Sequence, residues 1–195
     1  MNLDDFIKKY DTPNSVVLLE GKREVADDDK PKLVDLGKLF ASKTKHILFR
    51  SGNASGADQY FSEGVSSVDR EKLQVITPYH DHRRKTNQAF ETISVDRINL
   101  IVESEVVYQS KHNKKMGTLI DKYISGEIDR YSIKAAYIIR DTIKVIGTEE
   151  IMPATFAIFY DNLSNPRTGG TGHTMNICEK NNVSFNDQSV WMDWL

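Results

Sequence analysis

The residues of this chain best suited to chemistry gather in three glycine-containing turns, each placed after an apolar, strand-like run. The richest is Arg167-Thr168-Gly169-Gly170-Thr171-Gly172-His173-Thr174, which follows the apolar segment 155–160 and leads into helix-like sequence at 175–180. A turn in that position exposes backbone N–H groups that no helical carbonyl reaches, at the positive end of a helix dipole. Ser51-Gly52-Asn53-Ala54-Ser55-Gly56-Ala57-Asp58 repeats the arrangement between a strand at 46–50 and a helix at 59–65. Glu20-Gly21-Lys22-Arg23 closes a further strand at 15–19. Hydroxyls beside glycines in two such turns suit a phosphorylated small molecule.

Side-chain type suggests a role for each residue. Gly21, Gly52, Gly56, Ala57, Gly169, Gly170 and Gly172 let a ligand approach the backbone. Ser51, Thr171 and Thr174 offer hydroxyls to a phosphate, although Thr171 is equally suited to capping the helix with no ligand present. Arg23, Arg50 and Arg83 are the candidate counter-charges. Asp58, in the first turn of its helix, favours the dipole whatever its function; the sharper expectation is a contact with a ribose hydroxyl. Asn53 either takes a left-handed conformation or presents its amide to the ligand. His173, neutral near a helix N-terminus, could donate one N–H to an oxyanion.

Glu20 and Asp161, at strand ends, are the carboxylates nearest to any chemistry, and both could equally cap loops; Asp58 and Asp161 are the catalytic candidates. His80-Asp81-His82 invites a metal reading, but the spacing is too short for a helical zinc pair, and no cysteine or third histidine accompanies it. No metal ligand is assigned and no cofactor is identified. This segment is better used as a loop over the ligand, with Tyr79 stacked on a base.

These turns need a scaffold, and the apolar pattern supplies one. Ser15-Val16-Val17-Leu18-Leu19 is a continuous run of the kind buried on both faces of a sheet. The next helix begins near Asp29 with Pro31 in its first turn, where the missing N–H does no harm, and Leu33, Leu36 and Phe40 give it one apolar face. A strand at 73–77 stops at Pro78-Tyr79, and 98–107 adds either a strand or a short helix. Alternating strands and helices mark right-handed crossovers in a parallel sheet. From 111 to 151 the rhythm changes: Ile128, Tyr131, Ala135, Ile139, Ile143 and Ile146 recur every three or four residues along a long helix, with a shorter helix at 116–124 before it. This stretch reads as a helical insertion or dimerisation arm, a helix packed on its own sheet being the plainer alternative. A short strand at 183–185 and a tail with two tryptophans finish the chain. The expectation is one α/β domain over 1–195, a mainly parallel sheet flanked by helices, with a helical insertion at about 111–151.

Bulk properties narrow the partners. Over 195 residues, 39% hydrophobic and 28% charged content is ordinary for a globular protein. The net charge of −2 argues against nucleic acid and anionic membranes as partners, since both need concentrated Lys and Arg. The nearest approach to a basic cluster, Lys111-His112-Asn113-Lys114-Lys115, reads as a solvated loop. The single cysteine, Cys178, forms no internal disulfide and reads as a small buried side chain. No apolar run approaches the roughly 18 residues of a membrane span, and Met1 to Tyr10 is too acidic and too broken by charge for a signal peptide. A cytoplasmic protein is expected, and a homo-oligomer is left open.

The Ser51-Gly52-x-x-x-Gly56-Ala57-Asp58 and Gly169-Gly170-Thr171-Gly172-His173-Thr174 turns resemble the two signature turns of the SLOG superfamily. That group has Rossmann-like folds and includes the DNA-processing protein A type, the Lonely Guy phosphoribohydrolases and the YpsA-related proteins. The likeness is greatest to the YpsA-related branch, where an early strand ends in a Gly-x-Arg-like turn, here Gly21-Lys22-Arg23. It covers about 15–79 and 154–195. The resemblance implies a nucleotide or nucleotide-derived ligand at the carboxyl ends of the strands, which is also where open parallel sheets hold their ligands.

Two functions compete on this basis: a sensor or carrier that binds such a ligand, and a hydrolase of the nucleotide N-glycosidic bond as in the Lonely Guy branch. The second needs a carboxylate beside the anomeric carbon. In the Lonely Guy pattern Pro-Gly-Gly-x-Gly-Thr-x-x-Glu a glutamate follows on the helix; aligned on Gly169-Gly170-x-Gly172, that position is Asn176, and His173 replaces the threonine. Single-stranded DNA binding, as in the DNA-processing branch, ranks third because no basic stripe is present.

Overall fold

The computed structural model describes residues 1–112 and 116–195, so positions 113–115 of the Lys111–Lys115 cluster lie outside the described residues. Among the described residues six strands, all parallel, form one sheet. β1 (Val16–Gly21) is central and buried along its whole length. β2 (Leu48–Ser51) lies on one side of it and β5 (Phe156–Tyr160) on the other. β3 (Leu73–Thr77) and β4 (Glu91–Ser94) extend the sheet beyond β2, and β6 (Ser184–Asn186) extends it beyond β5.

The period of two along each strand divides the core into two layers. Val17, Leu19, Phe49, Val75, Phe156 and Ile158 point to one face. There they meet α1 (Leu3–Tyr10), α2 (Lys30–Lys43), α3 (Ala57–Val68) and α8 (Gln188–Trp191), through Phe6, Phe40, Phe61 and Trp191. Leu18, Ala157 and Phe159 point the other way, onto Met175, Ile177 and Cys178 of α7 (Gly169–Lys180). On that second face Ile76 packs with Ala135, Ile139 and Ile143 of α6 (Ile133–Ile146), flanked by α4 (Ser104–Lys111) and α5 (Gly117–Ile124). The architecture is α/β and Rossmann-like. No described helix is long and apolar enough to cross a membrane.

Two elements, β4 and the start of α7, differ from the sequence reading, and one open alternative is resolved. β4 has no apolar signature, because as an edge strand it exposes Glu91 and Thr92. Of the two alternatives for 98–107 the short helix holds: the segment contains the start of α4. α7 begins at Gly169, so the glycine-rich run forms its first two turns rather than a loop ahead of it. A β-carbon at Gly172 would run into the carbonyl of Arg167, so glycine there lets the incoming loop lie against the helix. Within the 111–151 stretch, α6 lies on its own sheet instead of projecting from it.

A candidate ligand cleft at the sheet switch point

β1 leads across to β2 on one side, while the chain returns through α4, α5 and α6 to enter β5 on the other. Crossovers therefore diverge at the carboxyl ends of β1 and β5, the usual place for a ligand crevice. A cavity of about 880 Å³ opens there, within the range of small-molecule sites. Gly21 and Arg23 after β1, Ala54 and Asp58 before and within α3, and Gly169, Gly170 and Thr171 of α7 all border it. The turns that are far apart in sequence thus share one space.

They are not equivalent within it. In the turn between β2 and α3 the Asp58 carboxylate is already engaged by backbone. Asp58 Oδ1 accepts from the Gly21 N–H (3.2 Å), and Oδ2 accepts from Gly52 (3.1 Å) and Ala54 (3.2 Å). The Ala57 N–H donates to the Lys22 carbonyl (3.1 Å). Asn53 takes the left-handed conformation (φ 55°) and its amide donates to the His82 carbonyl (3.0 Å). Gly56, at φ 85°, lies where a β-carbon would strike Arg23. Both oxygens of Asp58 and the amide nitrogen of Asn53 therefore hold backbone.

α7 is built differently. Its N-cap residue, Thr168, makes no side-chain cap, and the Gly172 N–H is the one that bonds back to the Thr168 carbonyl (3.1 Å). The N–H groups of Gly169, Gly170 and Thr171 are the orphan donors of a helix start, and they border the cavity. The Thr171 hydroxyl makes no hydrogen bond among the described residues, so it stands free beside them rather than serving as the cap.

The floor of the cavity is ionic, and most of it comes from α6. Glu20 accepts from the Thr174 hydroxyl (2.9 Å) and pairs with Lys144. Lys144 also reaches Asp141 (2.9 Å), and Arg140 bonds Asp141 (2.7 Å) and the Gly52 carbonyl (3.0 Å). Burial pushes the Glu20 carboxyl up to about 7 against the pull of Lys144. Burial also disfavours ionised Asp141, but Arg140 and Lys144 prevail and hold it below the usual carboxylate range. Each cation thus lies against a carboxyl group, as buried charges require. Beside them stand Tyr137 and His82, rings 5.6 Å apart and edge-on; both border the cavity. Burial, then the nearby cations Arg140, Arg83 and Arg23, push His82 down to about 4, so its imidazole is neutral.

Several residues expected at a ligand lie elsewhere. Arg50 is fully buried beneath α6: Nε donates to Gln74 (2.6 Å), and Nη1 to the carbonyls of Lys144 (3.0 Å) and Met152 (2.8 Å). It satisfies the carboxyl end of that helix and does not border the cavity. Ser51, Ala57 and Gly172 are buried behind the cleft wall. Thr174 faces Glu20, and His173 faces α6, its Nε2 3.5 Å from the Thr142 hydroxyl. Asp161 borders the cavity, but one of its oxygens accepts from the Arg167 N–H (2.8 Å), fixing its own loop. Tyr79 sits behind His82 (5.1 Å) and Tyr137 (6.5 Å), which occupy the wall that Tyr79 was expected to provide. The sequence reading missed Tyr137, Arg140, Asp141 and Lys144. Their spacing by three, one and three was visible as a second stripe on the long helix, hidden because a charged stripe ordinarily faces water.

No family model matches the chain, and no curated protein matches it significantly. Among solved structures it is similar to DNA processing protein A from Helicobacter pylori, a structure described for its single-stranded DNA binding mode. The TM-score is 0.52 at 16% identity, over 92% of this chain and 67% of that one. One expectation is overturned. Nucleic acid was set aside as a partner on net charge, yet a protein of this fold is a single-stranded DNA binder, so that exclusion does not stand. What the likeness carries is the fold: this is a Rossmann-like α/β protein built on a parallel sheet.

Proposed function

We propose that the cleft binds a nucleotide or nucleotide-derived ligand with its phosphate on the N-terminus of α7, and that the protein acts as a sensor or carrier of that ligand. The supporting observation is the uncapped first turn of α7, whose residues Gly169, Gly170 and Thr171 border a cavity large enough for a nucleotide. A hydrogen bond to a charged group contributes about 1.5–3 kcal/mol, and a helix N-terminus up to about 2 kcal/mol. Three amides and the Thr171 hydroxyl therefore supply much of the roughly 8 kcal/mol of a micromolar ligand. Arg23, Lys134 and Arg83 at the rim add counter-charge, and Tyr137 and His82, edge-on to one another, offer ring faces and edges for a base to pack against.

Gly170 gives the test. Its backbone is not left-handed, and a β-carbon there would meet nothing closer than Asp141 Oδ2 at 3.4 Å. Gly170→Val should fold, while its branches fill the phosphate seat. Titration calorimetry with AMP and ADP-ribose is expected to show binding to the parent and a loss of at least about 100-fold in the variant, at unchanged thermal stability of the free protein. Equal binding by both proteins would remove the α7 assignment.

The structural likeness favours a second reading, in which the phosphate on α7 belongs to single-stranded DNA. Affinity that climbs with oligonucleotide length and falls steeply with salt would select it; a mononucleotide bound as tightly as an oligonucleotide would select the small molecule. The hydrolase alternative finds less support. Both oxygens of Asp58 are engaged by backbone amides, and Asn176 is exposed on α7. Asp161 keeps one oxygen without a backbone donor among the described residues and borders the cavity, so release of free base from a bound nucleotide would draw on Asp161, Asp141 or Glu20.

A further inference from the structure

The carboxylate of Asp141 is used asymmetrically. Three cationic N–H groups converge on Oδ1: Arg140 Nε at 3.0 Å, Arg140 Nη2 at 2.7 Å and Lys144 Nζ at 2.9 Å. Oδ2 accepts no hydrogen bond among the described residues, although the side chain is only 2% exposed. Asp141 borders the cavity, and Oδ2 lies 3.4 Å from where a Gly170 β-carbon would be. Oδ2 is not sealed in the interior with its neighbours; it reaches the cavity, and its donor has to come from there. Here it faces the space into which the α7 amides also open.

The chemistry of the missing donor follows from charge. Arg140 and Lys144 keep Asp141 ionised, and an ionised carboxylate only accepts. A phosphate oxygen against it would be repelled, so the phosphate belongs on the amides and a neutral donor of the same ligand belongs on Oδ2. In a nucleotide the group next to the phosphate is the sugar; the base lies further off, toward Tyr137 and His82. We infer that Asp141 Oδ2 accepts a hydrogen bond from a ribose hydroxyl of the ligand, so that the cleft discriminates against a sugar lacking that hydroxyl. This rests on the reading of the cleft as a nucleotide site. It transfers to Asp141 the ribose contact that the sequence suggested for Asp58, both of whose oxygens are occupied.

The test is calorimetry on the full chain with AMP, 2′-deoxy-AMP and 3′-deoxy-AMP. Removal of the contacting hydroxyl is expected to weaken binding by about tenfold or more. Asp141→Asn should bring AMP down to the level of that deoxynucleotide while leaving the deoxynucleotide's own affinity unchanged. If the variant does not fold, the three ligands on the parent decide alone. Equal affinity of the parent for all three overturns the inference and leaves the nucleotide site standing; so does an Asp141→Asn variant that weakens all three alike. No binding of any of them overturns the nucleotide reading and this inference together.

Discussion

The turn before α3 and the first turn of α7 look alike in sequence and have opposite chemical states. Each sets glycines and hydroxyls at a helix start at the carboxyl end of a strand. Before α3 the anion is built in: the Asp58 carboxylate takes the Gly21, Gly52 and Ala54 amides and ties the turns after β1 and β2 into one piece. At α7 no side chain does this, and the orphan amides open into the cavity. A helix N-terminus attracts negative charge whatever its source. The first turn has met that demand from its own sequence and become a structural clamp; the second leaves it open.

The largest effect expected from this contrast is on stability. Asp58→Ala leaves three backbone donors without their acceptor, and a buried unsatisfied group costs about 1–3 kcal/mol. Urea denaturation should show a loss of about 3 kcal/mol or more, and a variant as stable as the parent would mean that Asp58 is no clamp.

A smaller effect belongs to His82, whose carbonyl is held by Asn53 of the closed turn while its ring borders the open cleft. Its folded value, about 4, lies below the ordinary 6.5. Between those values the unfolded chain binds more protons, so this contribution is fully present above about 6.5 and is lost as pH falls toward 4. Glu20, raised from 4.5 to about 7, gives the opposite slope over an overlapping range. The His82 share is therefore the difference between the parent and His82→Gln. After allowance for solvent screening, about 1–2 kcal/mol of that difference should vanish between pH 6.5 and pH 4. A difference independent of pH would show that the imidazole is not held neutral.

The smallest effect should come from giving α7 its own anion. Thr168 already has the extended backbone of an N-cap (φ −102°, ψ 156°). Thr168→Asp should raise stability by about 0.5–1 kcal/mol and weaken ligand binding at the same time. Greater stability with undiminished binding would separate the helix terminus from the site.

How much of this the sequence disclosed follows from where each signal lies. The parallel sheet was legible because β1, β3 and β5 are near-continuous apolar runs closed by turns, and buried strands need that composition. β4 was not, since an edge strand shows too little apolar surface to betray itself. The shared cavity was legible from the order strand, glycine turn, helix. Which turn was open was not, because Asp58 saturates amides 4, 6 and 37 residues away, and the longest of those contacts exists only in the fold. Arg140, Asp141 and Lys144 were hidden for a related reason: they look like a solvated face, and only the packing of α6 on the sheet turns them inward.

The central claim is that α7, and not the turn before α3, receives the ligand's phosphate. Amide proton–nitrogen spectra recorded while AMP is added address it directly. The account predicts that the largest shifts fall on Gly169, Gly170 and Thr171, with Gly21 and Gly52 little changed because Asp58 already holds them. Large shifts at Gly21 and Gly52 with α7 unmoved would contradict it.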